Sequence, residues 1–205
     1  MTYKVKNLWP IPLYMNNIGV SEDTLDFTLQ QPYERMKVKN GDISLNKKIL
    51  DSMPLLKSSI ENEAKNYLND YLKLDDKIEF YITTSWINKH IPGDHGQIHH
   101  HANSLISGVY YIKQPENGGN FILHQNVMTP NLFTSTINLD LNFKEFTETN
   151  THQFQVKPKD GLVIMFPSFI YHSVENNQSS EHRYSLAFNL FVKGKLGENE
   201  GELNV

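Results

Sequence analysis

Between Leu55 and Leu74 apolar residues return every three or four positions, at Leu56, Ile60, Ala64, Tyr67, Leu68 and Tyr71, which is the stripe of one amphipathic helix. Pro54 suits its first turn. Lys57, Glu61, Lys65 and Asn69 make the opposite face polar, so the helix is expected to cover the outside of a sheet and to carry no site. After Asp75 and Asp76 the period changes. Short runs rich in β-branched and aromatic residues, parted by Gly, Pro and Asn, predict strands at 79–90, 97–102, 105–113, 119–125, 152–157, 161–166, 170–175 and 182–192. Eight such runs with no long helix among them predict a mainly β fold of two packed antiparallel sheets, a jelly roll or double-stranded β-helix, flanked by N-terminal helices. The long polar stretch from Val127 to Asn150 reads as an insertion across the barrel mouth. No repeat and no linker interrupts the chain. The expectation is therefore one domain over 1–205, with an N-terminal strand and helical support at 1–78 and the jelly-roll core at 79–192.

Composition narrows the chemistry more than the fold. At 205 residues and 39% hydrophobic content the chain can bury a sizeable core. A net charge of −4 gives no general footprint for a phosphate backbone, so bulk nucleic acid is not an expected partner. Oligomeric state is not legible. There is no cysteine, which excludes disulfides and thiolate metal sites and leaves nitrogen and oxygen as the available ligands. The N-terminal stretch "MTYKVKNLWPIPLYMNNIGV" lacks the continuous apolar run of a signal peptide, and no later run is long enough to span a bilayer; a cytoplasmic protein without membrane contact is expected.

The chain has nine histidines and sets three of them side by side in "GQIHHHANSLISGVYYI". Side chains alternate along a strand, so His99 and His101 share one face and His100 takes the other. Two imidazoles on one face are a metal-ligand pair if a third ligand joins them, and otherwise a solvated cluster. His172, in "GLVIMFPSFIYHSVENN", is the candidate third member. Eleven positions on, "HRYSLAFNLF" puts Arg183 on the strand face it shares with Ser185, Ala187 and Asn189. An arginine on so apolar a strand is costly to bury unless it meets an anion, and its planar fork suits a carboxylate. His95 and His99 have helical metal spacing, but Pro92, Gly93 and Gly96 argue against a helix, and His90 and His95 are expected in solvated loops. Gly118 and Gly119 read as a turn.

The order of a first histidine at a His-x-(acid) position, a distant second histidine and then Arg-x-Ser about ten residues beyond it resembles the double-stranded β-helix oxygenases that use Fe(II) and 2-oxoglutarate. More narrowly, "LWPIPLY", "SWINKHIPGDH", "HHHANSLISGVYYI", "GLVIMFPSFIYHSV" and "HRYSLAFN" are similar, in order and spacing, to a family of 2-oxoglutarate oxygenases of uncharacterised substrate. The resemblance is strongest from Trp86 to Asn189. It implies iron on His99 and His172, the distal carboxylate of 2-oxoglutarate on Arg183 and Ser185, and consumption of dioxygen with release of succinate and carbon dioxide as an unknown small-molecule or peptide substrate is hydroxylated. Where the wider superfamily has Asp or Glu two residues after the first histidine, this chain has His101. Either the site is a three-histidine variant, which is the expectation, or it lacks its third ligand. Three ligands on one face of Fe(II) leave positions for the keto acid and dioxygen. One of Tyr110 and Tyr111, taken here as Tyr111, is expected to reach the co-substrate, and Asn88 to line the pocket beside Trp86. Two rival readings stay open: a cupin-like enzyme with another metal such as zinc, and a non-enzymatic jelly-roll binding module. Arg183 argues against the first of these, since a simple hydrolase needs no carboxylate clamp.

Overall fold

The computed structural model describes residues 4–7, 10–37, 40–125 and 142–205; Trp9 of the N-terminal motif and most of the expected 127–150 insertion lie outside them. The chain begins with β1 (Tyr14–Asn17), α1 (Glu22–Leu29), β2 (Tyr33–Arg35) and β3 (Asp42–Ser44). Ser21 caps α1 by accepting from the Thr24 amide. A short 3₁₀ turn then leads into α2 (Pro54–Lys65). Eight strands follow: β4 (Glu79–His90), β5 (Gly96–His99), β6 (Ile106–Lys113), β7 (Phe121–His124), β8 (Gln153–Val156), β9 (Leu162–Pro167), β10 (Tyr171–Val174) and β11 (Arg183–Lys193). These are the eight runs read from the sequence. A small ribbon of β12 (Lys195–Leu196) and β13 (Leu203–Asn204) ends the chain.

Seven strands form one antiparallel sheet in the order β1-β9-β6-β11-β4-β3-β2, and four form a second in the order β5-β10-β7-β8. The two enclose a barrel, and the fold is a jelly roll. Both faces of the larger sheet are covered. On its outer face Leu56, Ile60, Ala64 and Tyr67 of the helix pack with Ile87, Tyr110, Val163, Leu186 and Phe188. On its inner face Tyr111, Ile164 and Phe166 meet Phe121 and Leu123 of the smaller sheet. Double coverage explains why β11 is buried at almost every position rather than at alternate ones.

Two expectations need correction. The helix does not continue regularly to Leu74: α2 ends at Lys65, and residues Asn66–Tyr71 widen into a π turn closed by the Leu72 amide on the Tyr67 carbonyl. The widening keeps Tyr67 and Leu68 buried and turns Tyr71, expected on the apolar stripe, out to 65% exposure. The strand expected over 97–102 stops at His99, because the next available partner is not a strand: the His101 amide bonds the Ser168 carbonyl in the turn after β9.

Candidate metal centre

His99 closes β5 and stands directly opposite His172 in the middle of β10. A bulge in β5 lies between that pair and the next, Gly96 with Val174, so the end of β5 is bent where the imidazole must be aimed. His101 lies just past the strand, held by its amide on Ser168, with its ring stacked on Trp86 at 5.7 Å and on His172 at 5.1 Å. One ligand-type nitrogen from each of His99, His101 and His172 lies within 4.8 Å of the others, the only such cluster of His, Cys, Asp or Glu among the described residues. His100 turns the other way and meets the edge of Tyr171 at 4.8 Å. The alternation expected from a strand therefore survives the strand's early end.

Two of the three rings have their tautomer fixed. His99 Nδ1 faces the Gln97 carbonyl at 2.7 Å and His172 Nδ1 faces the Ile170 carbonyl at 3.1 Å. A carbonyl only accepts, so each Nδ1 carries the proton and Nε2 is left as the ligand nitrogen. Nε2 of His101 and Nε2 of His172 are 3.3 Å apart. Imidazoles at right angles on one first-row ion, each at about 2.1 Å, stand about 3 Å from one another. The donor set thus fits a divalent first-row metal, and the cluster supplies three imidazole nitrogens and no carboxylate.

The inner face of the larger sheet carries the rest of the site. Ser185 lies between Asn88 of β4 and Tyr111 of β6, and Arg183 lies opposite His90. These residues line a cavity of about 130 Å³ that also reaches His99 and His172. Asn88 accepts a hydrogen bond from the Trp86 indole. Tyr111 faces the cavity and is fully buried, which pushes its phenol well above the usual range despite the opposing pull of Arg183. Tyr110 faces away and donates to the Gly19 carbonyl.

Arg183 is 1% exposed. One terminal nitrogen donates to the Gly118 carbonyl at 2.7 Å and the other to His90 Nδ1 at 2.6 Å, while the buried Nε has no partner. Arg183 makes no ion pair among the described residues. Burial lowers its pKa, opposed by Tyr111 and Asp94; an arginine nonetheless stays protonated at neutral pH. The cavity is therefore cationic although the chain is acidic. His90, expected in a solvated loop, is instead the buried last residue of β4, because the β4–β11 register carries its side chain onto the same inner face as Asn88. Alternation from Trp86 through Asn88 would have placed it there. Gly118 and Gly119 form the expected turn, with φ of +89° at Gly119, where a side chain would strike the Glu175 carbonyl.

The jelly roll brings together a cluster of three histidines that could hold a metal ion and, in the cavity they border, a buried arginine without a carboxylate partner among the described residues. Residues 84–189 match the family described as "Putative 2OG-Fe(II) oxygenase", and the chain belongs to it: a 2-oxoglutarate- and Fe(II)-dependent oxygenase. No curated protein sequence matches the chain. Its structure is similar to an oxidoreductase of the 2OG-Fe(II) oxygenase family from Burkholderia pseudomallei, at 14% identity over 87% of this chain and 83% of that one, with a TM-score of 0.59. It is similar to HygX from Streptomyces hygroscopicus, solved with nickel, 2-oxoglutarate and hygromycin B bound, at 10% identity over 88% and 82%, with a TM-score of 0.59. A third likeness is to a prolyl hydroxylase in complex with a hypoxia inducible factor peptide fragment, from Trichoplax adhaerens, at 13% identity over 87% and 83%, with a TM-score of 0.57. At these identities the likenesses speak for the fold. Among the described residues no helix is long and apolar enough to cross a membrane.

Proposed function

We propose that His99, His101 and His172 hold Fe(II) as a three-histidine set, that Arg183 and Ser185 seat the distal carboxylate of 2-oxoglutarate, and that the enzyme hydroxylates a small molecule or a peptide side chain. When bound, the iron supplies the oxidising chemistry with dioxygen, and the co-substrate leaves as succinate and carbon dioxide. The observation that carries the reading is the buried Arg183 cation, unpaired with any carboxylate among the described residues and lining the same cavity as His99 and His172. A charge so placed needs an anion, and a planar fork with a bare Nε–H suits a carboxylate.

The chain's own residues divide the remaining work. His99 and His172, each donating its Nδ1–H to a backbone carbonyl, present Nε2 toward the centre. Tyr111 keeps its proton and acts as a donor beside Ser185. Val109, Phe121 and Val174 line the cavity with apolar surface and exclude water. The substrate classes are those named for similar structures, hygromycin B in one and a peptide in another.

The test is uncoupled turnover. Protein loaded anaerobically with Fe(II) and supplied with 2-oxoglutarate is expected to form succinate once air is admitted, and no succinate above a metal-free control would sink the proposal. Arg183→Ala is expected to retain metal while the 2-oxoglutarate requirement rises, by about 2–5 kcal/mol for loss of one partner of a buried charged pair. Unchanged co-substrate affinity in that variant would remove Arg183 from its role.

A further inference from the structure

We propose that His90 is a positioning residue for Arg183: as an uncharged hydrogen-bond acceptor it fixes the guanidinium without neutralising it, and so reserves the positive charge for the anion bound in the cavity. The inference rests on the oxygenase reading for the identity of that anion. Guanidinium has five N–H donors. The Gly118 carbonyl and His90 Nδ1 take one each, and both acceptors are neutral. Three donors, including the buried Nε–H, remain for a ligand.

The setting of His90 is built to keep it this way. His90 is 4% exposed. Its backbone carbonyl accepts from the Asn177 side chain at 3.0 Å, and a Cβ on Gly41 would come within 2.9 Å of the ring, so the imidazole is pinned from strand and hairpin alike. The charged and titratable groups around it are Arg183, Asp94, Arg35 and His95. Asp94 is the one carboxylate that could compete for Arg183. It is held instead by both terminal nitrogens of Arg35, each at 2.6 Å, and by the Ile91 amide. Burial and the neighbouring Arg183 push the His90 pKa down to about 3, so the acceptor stays neutral at any pH where the protein works. A carboxylate in the same place would form the better ion pair and cancel the charge.

The experiment compares three variants by calorimetric titration of the anaerobic Fe(II)-loaded protein, with 2-oxoglutarate and with 2-oxobutyrate, which lacks the distal carboxylate. Asn places an oxygen where Nδ1 stood and Asp places a charged one. His90→Ala is expected to raise the 2-oxoglutarate Kd about tenfold, and His90→Asn to recover most of that. His90→Asp should raise it about a hundredfold or more. The 2-oxobutyrate and Fe(II) affinities should move by less than about threefold throughout, since neither ligand depends on a paired carboxylate at Arg183. If His90→Asp binds 2-oxoglutarate as well as His90→Asn, or if both keto acids weaken alike, the inference is overturned. A wild-type protein that binds no 2-oxoglutarate overturns the oxygenase reading instead. Should the variants fail to fold, ¹⁵N spectra of wild-type histidine side chains decide: His90 protonated on Nε2 alone from pH 8 to pH 5 supports the contact, and a proton on Nδ1 within that range excludes it.

Discussion

A neutral histidine buried against an arginine makes folding sensitive to acid. The His90 imidazole is held down to about 3 from an ordinary value of 6.5. Between these values the unfolded chain binds a proton that the folded chain refuses, so its contribution is complete above pH 6.5 and is lost as pH falls toward 3. The loss by pH 5 is about 2 kcal/mol. Urea midpoints of wild type should fall between pH 7 and pH 5 by more than those of His90→Asn, and equal falls would mean that His90 does not titrate this way. The histidine triplet gives a second residue-level test. His100→Ala is expected to bind one equivalent of Ni(II) like wild type, whereas His99→Ala and His101→Ala should bind much less. Loss of metal in His100→Ala with retention in His101→Ala would mean that the register is wrong by one.

At the scale of elements, the sheet tolerates no side chain at one position of β6. Phe188 lies across from Gly108, and a Cβ there would sit 2.2 Å from the Phe188 ring. Phe188 is fully buried beneath α2 and has nowhere to go. Gly108→Ala is therefore expected to cost about 1–3 kcal/mol in a denaturant titration, while the neighbouring half-buried Val109→Ala costs less than full burial would imply. The eight core strands were legible because Gly, Pro and Asn separate them, and the helix because its apolar stripe is regular as far as Leu68. The short N-terminal strands were not. Tyr33–Arg35 and Asp42–Ser44 are three residues each, with no room for a period; β4 offers an edge to β3, and β3 in turn offers one to β2. The site was readable as far as alternation carried it: His99, His101, Arg183, Ser185, Asn88 and Tyr111 all reach the places their faces predicted. His90 was missed where the strand's own period, continued two residues beyond Asn88, would have found it. The Gly118 carbonyl and the Ser168 anchor of His101 depend on chain separated by tens of residues, which no local pattern records.

Across the whole molecule, an acidic chain surrounds a cavity lined by the Arg183 cation, the imidazoles of His90, His99 and His172, and no carboxylate among the described residues. With a divalent ion in place the centre is more positive than one built on a carboxylate ligand, which favours dianionic keto acids. The hairpin of β2 and β3 contributes Met36, Asn40 and Ile43 to the lining, and the Arg35–Asp94 pair ties it to the loop after β4. Support for the site thus comes from the N-terminal segment as well as from the barrel. The stack of Trp86 on His101 gives the protein an optical gauge of its own occupancy. Of two tryptophans, Trp86 touches a candidate ligand ring. In a Trp9→Phe background the remaining emission comes from that indole alone, and an open-shell ion such as Ni(II) bound within van der Waals reach of its stacking partner should quench it. The fluorescence should fall with one equivalent of Ni(II), return on chelation, and stay constant in His172→Ala. A quench that survives His172→Ala would place the ion elsewhere.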